Sequence, residues 1–182
     1  NKALELDNDL ANAYVNMGLV YDDIGELEQA INSFRKAIEL APKNAFAYYH
    51  LGKSNAEGGY YNNAIRWFSQ AIKIDDEYID AYLGRGEVYR STGELESSIK
   101  DFDKAIDLCN KLIDKDIQNP RKWNEHIVYL KERRNKRIKD IELLDSLKIK
   151  INEANFNEQW EELIELCNEA LSIKSDESIK RY

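Results

Sequence analysis

Three pairs of glycines repeated every 34 residues constrain this chain more than any other feature. Gly18, Gly52 and Gly86 keep that step, and so do Gly25, Gly59 and Gly93. Ala13, Ala47 and Ala81, Tyr14, Tyr48 and Tyr82, Phe34, Phe68 and Phe102, and Ala37, Ala71 and Ala105 keep it too. A period of this length on a helical pattern is what a two-helix unit produces when copies of it stack into a solenoid.

The first copy, residues 11–44, explains the spacing. Tyr14, Met17, Gly18 and Tyr21 fall at three- and four-residue intervals, so they share one face of a helix over about residues 11–24. Glycine inside a helix costs on the order of 1 kcal/mol relative to alanine, so Gly18 implies a close approach by another element. Gly25 stands where a left-handed residue must end that helix. A second helix follows at about residues 27–40, with Ala30, Phe34, Ala37 and Ile38 along one side. Pro42 stops it, and Asn44 is a good N-cap for the next.

On these columns the chain resembles the tetratricopeptide repeat family. The resemblance implies an all-α fold, a right-handed superhelical solenoid of antiparallel helix pairs. Three regular repeats, 11–44, 45–78 and 79–117, are predicted, the last with an extended second helix. Residues 1–10 match second-helix columns and read as the end of an earlier repeat. Residues 118–174 read as a long basic helix and a degenerate helix pair, with 175–182 as a tail or cap. The helical pattern over 121–155 fits either one helix or two, because Lys131–Arg137 has no apolar face. Arg85 stands in the column of Met17 and Leu51, so a looser helix contact is expected there.

Catalysis has little foothold. The only histidines are His50 and His126, and no Gly-rich phosphate loop, HExxH-type helix or nucleophile elbow occurs. Cys109 and Cys167 are too few and too far apart for a disulfide framework or zinc site, which fits reduced thiols in the cytoplasm. No apolar run reaches the ~18–20 residues that span a bilayer. No cofactor or metal is expected, and the chain reads as a non-catalytic adaptor or scaffold that binds protein.

In the resembled family the first helices line a groove where ligands lie. The matching positions are Asn12, Val15, Asn16, Leu19 and Asp22, then Phe46, Tyr49, His50 and Lys53, then Asp80, Leu83, Glu87 and Arg90. Val15, Leu19, Phe46 and Leu83 are read as exposed apolar groups, which mark contact surfaces when clustered. With Asp23 and Glu57 at its edge the set is acid-rich, so a basic or apolar peptide segment is the expected partner. His50 is either an uninvolved exposed histidine or a source of pH-dependent affinity between about pH 6 and 7. Related co-chaperones grip a C-terminal carboxylate with Lys, Asn and Arg. The matching columns hold Val15 and Leu19, His50, and Asp80 and Gly84, so that clamp is not expected.

A second candidate surface is residues 120–139. Arg121, Lys122, Lys131, Arg133, Arg134, Lys136, Arg137 and Lys139 outnumber Glu125 and Glu132 there, within a chain of net charge −8. Such asymmetry fits RNA or anionic-surface binding, a solvated helix face, or an intramolecular partner for the acidic repeats. No aromatic interleaves Lys131–Lys139, which argues against base stacking and makes nucleic acid the weaker reading. The C-terminal helices are a candidate homo-oligomer contact, and a targeting arm for a larger enzyme is the remaining alternative.

Overall fold

The computed structural model describes the backbone of residues 2–115, 120–156 and 165–170, and the side chains of 9–112, 124–125, 127–151 and 165–170. The expected tail at 175–182, the turn after Phe156, and the side chains of Arg121, Lys122 and His126 lie outside the described residues. Among the described residues the elements run in order: α1 (Lys2–Asp23), α2 (Leu27–Leu40), α3 (Ala45–Glu57), α4 (Tyr61–Ile74), α5 (Ile79–Ser91), α6 (Leu95–Lys115) and α7 (Pro120–Phe156). A further helical stretch covers 165–170. Consecutive helices pack as pairs, and the first helices also touch one another, α1 with α3 and α3 with α5. This is an all-α solenoid.

Each turn within a pair uses the same chemistry. Gly25, Gly59 and Gly93 have φ of 78°, 76° and 80°, a conformation that costs glycine nothing. The N–H of Gly25 bonds the carbonyl of Asp22, and that of Glu26 the carbonyl of Tyr21. The same two bonds recur at Gly59 and Tyr60, and again at Gly93 and Glu94. Carbonyls left open at the helix end are thereby satisfied. Between pairs, Asn44 caps α3 as expected, its Oδ1 accepting from the Ala47 N–H at 3.0 Å.

The second helices supply the core. Ala30, Phe34 and Ala37, with their counterparts Ala64, Phe68 and Ala71, are buried, as are Phe102 and Ala105. A Cβ on Gly18 would sit 2.6 Å from the Phe34 ring, and one on Gly52 would sit 2.8 Å from Phe68. The expected close approach is therefore aromatic ring against helix backbone.

Three local expectations change, and one open alternative closes. Residues 2–10 continue α1 and do not form a separate second helix. Met17, placed on the packed face by its spacing, is 44% exposed. Arg85 does not loosen its contact: Nε and Nη2 donate to both carboxylate oxygens of Asp101 at 2.8 and 2.7 Å, and Nη1 donates to Ser69 Oγ. Finally, 120–156 is one helix. α7 packs on α6, where Ile127 and Leu130 join the cluster of Tyr82, Phe102 and Cys109. Beyond it, Leu166 packs on Leu147.

Candidate functional site

Along the row of first helices, two gaps between neighbours are built differently. In the α1–α3 gap, Phe34 has Gly18 on one side and the stacked His50 ring at 5.5 Å on the other. His50 is further enclosed by Phe46 at 4.3 Å and Tyr49 at 4.9 Å. Thirty-four residues on from His50 stands Gly84. The α3–α5 gap therefore lacks a side chain at that place, and Phe68 lies between Gly52 and Gly84. A pocket of about 250 Å³ opens there, lined by Tyr49, Ala56, Tyr61, Phe68, Gly84 and Val88, with Lys53, Glu57, Glu87, Arg90 and Ser91 around it. One large apolar side chain fits a space of this size.

The rim is a charge network. Lys53 Nζ meets Asp22 at 2.7 Å and Glu57 at 3.4 Å, and Ser54 Oγ donates to Asp22 at 3.1 Å. Burial works against the Lys53 ammonium, but its bond to Asp22 and the charges of Glu57 and Asp22 hold its pKa above the usual value. Burial, then the Asp22 charge, push the Glu57 carboxyl up. Glu87 accepts from Arg90 at 2.7 Å and from Arg133 of α7.

The groove set from the sequence is thus divided. Tyr49, Lys53, Glu87 and Arg90 come together at the pocket. Asn12, Asn16 and Asp80 are exposed and Leu19 half-buried, while Phe46 is 44% exposed beside His50. Val15 is not groove surface: it is 6% exposed and packs with Phe34, Ala47 and Leu51, because α3 covers that side of α1. Leu83 is half-buried and leans on the core cluster of α5 and α6. His50 is not an exposed titrating group: burial and then the Lys53 charge lower its pKa to about 4. Phe68, Gly84 and Val88 were missed as pocket residues, although Gly84 signals itself as the glycine in the Asn16–His50 column.

The basic stretch is partly spent within the chain. Arg133 pairs with Glu87 and lies over the Tyr129 ring, Arg134 pairs with Asp103, and the buried Arg137 pairs with Asp140. Lys131, Lys136 and Lys139 are exposed. Among the described residues, no three His, Cys, Asp or Glu side chains cluster as a metal site, and no helix is long and apolar enough to cross a membrane.

Comparisons with known proteins agree with this architecture. Residues 11–44 and 79–112 each match the family described as tetratricopeptide repeat, and residues 55–93 match that described as TPR repeat. No curated protein matches. Among solved structures, MamA protein is 31% identical, covering 75% of this chain and 72% of its own, with a TM-score of 0.55. The Arabidopsis OM64 TPR domain is 21% identical, covering 71% and 98%, with a TM-score of 0.60. The first TPR of Spaghetti bound to an HSP90 peptide is 18% identical, covering 69% and 93%, with a TM-score of 0.56.

Proposed function

Since the chain belongs to the tetratricopeptide repeat family, we propose that it is a non-catalytic adaptor module holding a peptide or protein segment along α1, α3 and α5. The observation that carries this reading is the pocket between α3 and α5, with Phe68 and Val88 inside and paired charges at its rim. An apolar side chain entering it is desolvated, while Lys53, Glu57, Glu87 and Arg90 can set the register of flanking polar groups.

The preferred segment is basic or apolar, not a C-terminal carboxylate. Spaghetti's peptide, SRMEEVD, ends in such a group. Here the clamp columns hold buried Val15, neutral His50 and exposed Asp80, none of which favours an anion. A cytoplasmic setting fits the free thiols of Cys109 and Cys167.

Affinity capture with mass spectrometry tests the reading. The comparison is between the wild type, Tyr49→Ala, Phe46→Ala and a Glu39→Ala control on α2. Because Tyr49 also packs on Phe68 and Tyr78, capture is run well below the variant's Tm. Loss of an aromatic anchor costs an interface about 2 kcal/mol or more, so capture should weaken at least about tenfold. Equal capture by all four proteins would move the site off this face. A steep loss of binding with salt would favour the rival reading, a polyanion on Lys131, Lys136 and Lys139.

A further inference from the structure

We propose, resting on the α3–α5 pocket as the anchor site, that the bound segment leaves the groove over the turn that opens α4, and that it is extended and proline-containing there. Tyr61 lines both that pocket and a neighbouring hollow of about 530 Å³. On the α5 side, Ser91 of the pocket is followed by Thr92 of the hollow. Gly59, Tyr60, Asn62 and Asn63 complete the hollow's wall. The two spaces therefore adjoin through one tyrosine, and a chain that fills both crosses the edge of the solenoid where its turns lie.

The other repeats show what is particular to this edge. The first has Glu26, Leu27 and Glu28 there, the third has Glu94, Leu95 and Glu96, and the second has Tyr60, Tyr61 and Asn62. An acid in the first turn favours a helix N-terminus, and α4 lacks the one that α2 and α6 carry. In the neighbouring repeats these positions are engaged locally: Glu26 accepts from Gln29, and Glu94 from Thr92. Tyr60 is 58% exposed, and Asn62 and Asn63 are exposed. Among the described residues, no side-chain hydrogen bond within the chain engages these three.

That chemistry selects the occupant. The Tyr60 hydroxyl and the amides of Asn62 and Asn63 can donate, and the Tyr60 ring offers a flat apolar face. A polyproline II stretch has no internal hydrogen bonds and presents its carbonyls outward. Its prolines bring no N–H in need of an acceptor. Such stretches dock on aromatic surfaces, and their fixed φ lowers the entropy lost on binding. A basic stretch finds neither of the carboxylates that the other repeats place here.

A random dodecamer phage-display library panned on the full chain supplies the probe. Enriched peptides should share a large apolar residue with one or more prolines within about four positions of it, at about 3 Å per residue of extended chain. In fluorescence anisotropy, Tyr60→Glu with Asn62→Glu should weaken a synthetic copy of such a peptide at least about tenfold. Both replacements are what the first and third repeats carry, so the Tm should stay that of the wild type. Replacing the peptide's prolines by alanine should cost about twofold to fivefold. Tyr49→Ala should weaken the same peptide, because the anchor pocket is shared. The proposal is overturned if no proline-containing peptide is enriched, or if the Tyr60/Asn62 variant binds as the wild type does. In the latter case, weakening by Tyr49→Ala leaves the pocket standing as the anchor, and weakening by neither variant removes both readings. An oligosaccharide bound on a glycan array and lost in the Tyr60/Asn62 variant, with no peptide enriched, also overturns it, since the ring and amides then serve a sugar.

Discussion

Glu87 of α5 and Arg133 of α7, 46 residues apart in sequence, form an ion pair at the rim of the α3–α5 pocket. Arg133 also lies over Tyr129, and Glu87 is shared with Arg90. Through this contact the first residues beyond the regular repeats reach back to the candidate groove.

The pair gives a direct measurement. Both side chains are about a third exposed, so the interaction is screened, and a double-mutant cycle of Glu87→Gln and Arg133→Gln should report about 0.5–1 kcal/mol of coupling. Hydrogen exchange along α7 should quicken in Arg133→Gln. Zero coupling with unchanged exchange would mean that α7 is held without this pair, by Ile127, Leu130 and the Arg134–Asp103 ion pair.

The glycines separate two costs that the period alone does not distinguish. Gly52→Leu must push against the Phe68 ring, and overpacking of this kind costs about 1–3 kcal/mol or more. For a chain of this size that is roughly 3–10 °C in Tm. Gly25→Ala meets nothing within 4 Å and loses only the freedom to sit at φ 78°, a cost of about 1 kcal/mol. Calorimetry should rank Gly52→Leu well below Gly25→Ala. The reverse order would mean that ring contact does not fix Gly52.

What the sequence made legible was whatever the period repeats. Helix ends at Gly25, Gly59 and Gly93, the Phe34–Phe68–Phe102 column and the Asn44 cap all follow from local rules that one unit already shows. Departures between units were harder to read, because their consequence depends on a neighbour. Val15 looked exposed until α3 covered it. Arg85 looked like a weak leucine until Asp101 and Ser69 received it. Gly84 opens a pocket only because Phe68, sixteen positions earlier, lies beneath it.

His50 predicts the pH response. Its folded-state pKa of about 4 lies below its ordinary 6.5, so between those values the unfolded chain binds more protons than the folded one. Stability attributable to this group is therefore full above about pH 6.5 and falls as pH drops toward 4. His50→Leu removes the titration. The stability difference, wild type minus variant, should decline steadily across that window in urea unfolding, with Lys53 and Asp22 unchanged. A difference that stays flat would show that His50 is protonated as easily folded as unfolded.

Arg85 and Asp101 carry the most discriminating test. Asp101 is 7% exposed and Arg85 19%, and Arg85 also lies within 6 Å of the Tyr82 and Tyr89 rings. Removing one partner of a pair this buried strands the other charge, at a cost of about 3 kcal/mol. Replacing both with residues that fit the space is often neutral or stabilising. The repeat itself names the replacements: one unit earlier the Arg85 column holds Leu51, and two units earlier the Asp101 column holds Ser33. Arg85→Leu alone should therefore lower the unfolding free energy by about 3 kcal/mol, and adding Asp101→Ser should recover most of that loss. Full recovery would mean that the ion pair is an alternative to the apolar contact of the α2–α3 interface and adds no net stability over it. If the double variant is as unstable as Arg85→Leu, the bidentate bond contributes net stability that leucine packing cannot replace. If Arg85→Leu is as stable as the wild type, Asp101 reaches water without its partner, and the pair does not hold α5 to α6.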